Sequence, residues 1–88
     1  EQLSKVDTAL RAILREVLGL DEDYLDTVTA ETGLFGHLPE LDSMAVAGLL
    51  TEMEDRLGIL IEDDDIDGEM LETYGALLAF AEAKTAAS

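Results

Sequence analysis

The sequence predicts an all-α fold, a small four-helix bundle of three main helices plus a short third helix. Three observations predict it. Apolar residues recur at spacings of three and four in separate segments, which is the helical period. Glycines or capping residues bound those segments. The one run that suits a strand, Ile59-Leu60-Ile61, has no second strand pattern to pair with. The 88 residues show no internal repeat and no composition break, so residues 1–88 read as a single domain.

The first segment, SKVDTALRAILREVLGL, reads as a helix, where Val6, Leu10, Ile13, Leu14, Val17 and Leu18 form one apolar stripe. Ser4 and Asp7 have the spacing of a capping box with Asp in place of Glu, and Gly19 is a natural stop. Leu20 to Leu41 shows no sustained period and contains Gly33, Gly36 and the sole proline, Pro39. A loop of this length is usually functional or holds short helical turns. Its scattered Tyr24, Leu25, Val28, Leu34 and Phe35 suggest that it is pinned over the core.

A second main helix runs from Ser43 to about Leu57, with Val46, Leu49, Leu50, Met53 and Leu57 on one face and Glu52, Glu54 and Asp55 elsewhere. Gly48 inside it costs ~1 kcal/mol relative to Ala, which implies a packing or contact reason. Gly58 ends it. Ile59 to Ile61 then read as a buried connector, followed by a short turn or helix around Glu69 to Glu72. Thr73 caps the last helix, Tyr74 to about Lys84, with Leu77, Leu78 and Phe80 facing inward and a frayed tail.

Charge narrows the function. Twenty-one acidic against five basic residues give a net charge of −16. Such a chain repels nucleic-acid phosphates and anionic membranes, and favours proteins with basic patches. No apolar run approaches the ~20 residues that span a bilayer, and no signal-peptide pattern opens the chain. There are no cysteines, hence no disulfide and no thiolate metal site, which suits a reducing cytoplasm.

Three constellations invite chemistry. Asp63, Asp65, Asp67 and Gly68 match the opening of a calcium loop, but the position of its closing glutamate holds Tyr74. A solvated acidic loop with weak, nonspecific affinity for divalent cations is the better reading. His37 is the only histidine, and the elbow motif that a Ser43–His37 hydrolase would need is absent. Asp42-Ser43 remains. Asp42 is well explained as a helix cap. Ser43 is not, because a first-turn serine brings little advantage; a phosphate on its hydroxyl would instead meet the helix dipole and free N–H groups.

Asp42-Ser43-Met44, opening an amphipathic helix in an acidic domain of this length and helix order, resembles the D-S-[LM] signature of acyl and peptidyl carrier proteins. The resemblance spans nearly the whole chain. It implies an acyl-carrier-like bundle that is not an enzyme and carries 4′-phosphopantetheine, from coenzyme A, on Ser43, with Asp42 beside it. The implied partners are a phosphopantetheinyl transferase and enzymes that activate or transfer acyl groups through basic docking patches. Carried over, the docking positions are Met44, Ala47, Thr51, Glu54, Asp55 and Asp63, and the core positions include Val46, Leu49, Leu50, Met53, Leu57 and Ile61. A cytoplasmic monomer shuttling thioester-bound acyl or aminoacyl groups is the implied function. Two departures bear on loop geometry and partner choice: Glu40 stands where the family commonly has Gly, and Gly48 where it often has an acidic residue. The run GHLPELDSMAV resembles a bacterial subgroup associated with exopolysaccharide and exosortase gene clusters. The rival readings are an unmodified acidic interaction module and a calcium-responsive regulator.

Overall fold

The computed structural model describes residues 5–36 and 41–87. Helix α1 spans Lys5–Leu18, α2 Glu22–Asp26, α3 Ser43–Leu57 and α4 Tyr74–Ala87, with one 3-10 turn at Asp63–Asp65. The all-α prediction holds. The short α-helix, however, comes second in chain order, inside the first long loop. The third position holds only the 3-10 turn, and Glu69 to Glu72 form turns. The cause is local. Asp65 folds back so that its N–H donates to the Glu62 carbonyl while its carboxylate accepts from the Glu62 N–H. That tight arrangement, among like charges that disfavour helix continuation, closes one turn and no more.

Helix α1 is central and packs against α3, α4 and α2. Its expected stripe is the one observed: Leu10, Ile13, Leu14 and Leu18 are buried, with Val6 and Val17 half-buried at the edges. From α3 come Leu49, Leu50 and Met53, with Val46 and Leu57 partly covered. Each fully buried aliphatic side chain contributes about 1.5–3 kcal/mol of transfer free energy. The inward face of α4 is Tyr74, Leu77 and Ala81, while the expected Leu78 and Phe80 sit half-buried at the flank. The connector after α3 is only partly buried, since Ile59 is inside but Leu60 is 67% exposed. Helix α4 also runs beyond Lys84, with the Thr85 hydroxyl donating back to the Ala81 carbonyl.

Tyr74 faces inward because of a polar brace. Its hydroxyl donates to the buried Asp7 carboxylate, and Arg11 donates to the same carboxylate at 3.2 Å. Arg11 lies over the Tyr74 ring, 4.9 Å from its centre, and donates to the carbonyls of Leu25 (2.5 Å) and Val28 (3.1 Å). One guanidinium thus ties α1 to α4 and to the end of α2. Ser4, the other half of the expected capping box, lies outside the described residues.

The long loop is pinned, as its apolar residues suggest. Leu34 N–H donates to Glu72 O, Phe35 N–H to Leu71 O, Tyr74 N–H to Thr32 O and Gly75 N–H to Ala30 O. This zipper of four bonds joins the loop to the segment leading into α4. Gly75 is required at its end, because a Cβ there would lie 2.8 Å from the Ala30 carbonyl oxygen. Gly58 closes α3 in the left-handed region, φ 65°, its N–H donating to Glu54 O.

Candidate functional site

The start of α3 is fixed by local chemistry. Asp42 is extended (φ −101°, ψ −173°), and its carboxylate accepts the Ala45 N–H at 2.8 Å. Its carbonyl accepts from Val46 N–H, the first bond of the helix. Buried Leu41 before the cap and half-buried Val46 have the spacing of a hydrophobic staple, which sets the angle at which the chain enters the helix. Asp42 is therefore the cap, as its residue type predicts. Ser43, the first helical residue, is exposed to solvent.

A cleft of about 320 Å³ opens beside Ser43. Ser43 and Val46 form one side, Phe35 and Leu71 another, and Ile66, Asp67 and Gly68 the third. The zipper bond from Phe35 to Leu71 binds the second side together. Asp67 accepts the Met70 N–H at 2.9 Å, which shapes the third. Of the four large apolar side chains left exposed among the described residues, Phe35 and Ile66 line this cleft and Met44, 85% exposed, adjoins Ser43 in the chain. Sequence periodicity misses Phe35 and Ile66 as cleft residues, because both lie in loops without a helical period. Ile66 is signalled only as a large apolar residue in an acidic run, and Phe35 only as one of the scattered apolar residues of the first long loop.

The other expected positions divide. Met44, Ala47, Thr51 and Asp55 are all exposed, and their spacing places them on one stripe of α3. Glu54 is half-buried, and its carboxylate accepts the Ile61 N–H at 2.8 Å, so it helps to hold the connector. Asp63 opens the 3-10 turn; its side chain, and all of His37 to Glu40, lie outside the described residues. Asp65 is committed to Lys84 at 2.6 Å and to the Glu62 N–H, and these partners hold its carboxyl below the usual range. Among the described residues, no group of three acidic or histidine side chains is arranged to hold a metal. At the far end of α3, Arg56 reaches both Glu16 and Glu52, and its hydrogen bond lowers the Glu16 pKa.

The chain matches the family described as the phosphopantetheine attachment site over residues 8–81. It belongs to that family. The holo acyl carrier protein of Nitrosomonas europaea, solved by solution NMR, is 37% identical and superposes with a TM-score of 0.82. The match covers 96% of this chain and 99% of that one. Among curated proteins none matches. As a carrier-family member, the protein has 4′-phosphopantetheine as its covalent group and is not itself an enzyme. Carriers of this kind work with phosphopantetheinyl transferases and acyl-handling enzymes. Among the described residues, no helix is long and apolar enough to cross a membrane.

Proposed function

We propose that Ser43 is the attachment residue and that the protein shuttles thioester-bound acyl or aminoacyl groups between partner enzymes. The observation that carries this reading is the setting of Ser43: an exposed hydroxyl at the first position of a capped helix, beside a largely apolar cleft. The residues fit a phosphodiester-linked arm. The N–H groups of Ser43 and Met44 have no partner within the helix and carry its positive dipole end, which suits a phosphate. Asp42 holds this first turn in shape through the Ala45 N–H. When attached, the group supplies a thiol that forms thioesters, which a chain without cysteine lacks. The cleft offers Val46, Phe35, Ile66 and Leu71 as apolar shelter from water for the arm or its cargo.

Docking falls to the stripe of Met44, Ala47, Thr51 and Asp55, with Glu54 adding negative charge on the same helix and Asp63 a further docking position that the resemblance implies. Partners with basic patches are drawn by a net charge of −16 and released quickly, because exposed charge pairs are weak and screened by salt. A monomer in the cytoplasm fits this traffic. The test is intact mass after incubation with coenzyme A and broad-specificity transferases. The protein is expected to gain one phosphopantetheinyl group, and Ser43→Ala none. An unmodified protein with several active transferases would overturn the assignment.

A further inference from the structure

The cleft beside Ser43 has one wall of a different kind from the others. Ser43 and Val46 stand on α3, and Phe35 and Leu71 are joined by the backbone zipper. Ile66, Asp67 and Gly68 belong to the connector between α3 and α4, whose only regular element is the 3-10 turn Asp63–Asp65. Six of the eight residues from 62 to 69 are acidic. Like charges at this density repel, so the segment tends to move outward unless a cation holds it.

That cation is Lys84, on the last turns of α4. Its ammonium meets Asp65 at 2.6 Å and also lies 5.9 Å from the centre of the Phe80 ring. Among the described residues this is the one ion pair that ties the connector to another element. The bonds of Asp65 to Glu62 and of Asp67 to Met70 are local and shape the segment without anchoring it. The Glu54 carboxylate fixes Ile61 at one end and buried Met70 and Leu71 fix the other, so Asp65 is the anchor between them, and releasing it lets the adjoining Ile66 move. Both partners of the pair retain more than a quarter of their side-chain exposure, and exposed Glu62 and Asp64 flank the carboxylate. A competing cation can reach it.

We propose that the Lys84–Asp65 pair is a latch on the cleft beside Ser43, and that a cationic partner surface opens it by competing with Lys84 for the Asp65 carboxylate. Docking and opening then become one event. As a control over cargo this rests on Ser43 bearing the arm; the latch itself does not.

Amide hydrogen exchange on the full chain tests it. Lys84→Met is expected to speed exchange at Glu62, Asp65 and Met70 roughly three- to tenfold, the range set by a partly exposed pair, while α1 and α3 amides stay unchanged. The same variant should take up a neutral apolar dye more readily, and Lys84→Arg should restore both properties. An oligolysine peptide added to the wild-type protein should speed the same three amides. Wild-type exchange at those amides in Lys84→Met would overturn the latch. So would a change spread through α1 and α3. No response to oligolysine would overturn the competition. None of these readouts uses Ser43 modification, so the two assignments fail separately.

Discussion

Asp7 and Tyr74 are 67 positions apart in the chain and share a hydrogen bond inside it. Burial, and then the Asp7 hydrogen bond, push the Tyr74 hydroxyl well above its ordinary pKa of 10.0. A folded-state pKa above the unfolded one means stability that is complete below the unfolded value and lost as pH rises past it. Tyr74→Phe removes a donor from a buried carboxylate and is expected to cost about 1.5–3 kcal/mol near neutral pH, read by urea unfolding. As pH rises past about 10 the gap between wild type and variant should narrow progressively, because only the wild type loses this contribution. A gap that stays constant to the alkaline limit would show that the hydroxyl is not the group that titrates. The carboxylates of Asp65 and Glu16 shift the other way, held down by Lys84 and Arg56. Their contribution is present above the ordinary carboxylate range and disappears on acidification.

At the level of elements, two glycines that look alike in the sequence separate in the structure. Gly48, inside α3, was expected to have a packing reason, but a Cβ there meets only Val17 Cγ1 at an ordinary 3.8 Å. Gly48→Ala should therefore stabilise by roughly 0.5–1 kcal/mol through helix propensity. Gly75→Ala should destabilise by about 1–3 kcal/mol despite the same propensity gain, since the Ala30 backbone must move. Thermal melts of the two variants should shift in opposite directions. The contrast also marks what is readable from sequence. The stripes of α1 and α3 are legible because each is a local repeat of apolar side chains, and Asp42 and Gly58 because caps answer local needs. The α2 helix has only five residues and one buried side chain, Leu25, too little for a period. The zipper leaves no side-chain pattern, being backbone to backbone. That Ser43 opens α3 is legible from its place after a capping residue, whereas the cleft beside it is not, because its walls come from three distant segments.

The whole molecule measures 33 × 31 × 21 Å between its extremes. At ~0.01 M salt the screening length is ~30 Å, so every carboxylate feels the others; at ~0.15 M it falls to ~8 Å. Raising sodium chloride over that range should therefore raise the melting temperature by several degrees, against the few tenths to 1 kcal/mol lost from screened surface pairs. A flat or falling curve would mean that the ion pairs outweigh the general repulsion.

Among the described residues, Arg11, Arg15, Arg56 and Lys84 direct their charge to carboxylates of the same chain. The field that reaches outward is in consequence almost of one sign, and the molecule offers little that its own twin would want. Under the proposed function, copies crowded around a single basic partner should keep their distance from each other while each is drawn to the same patch. Such a population can queue without clumping.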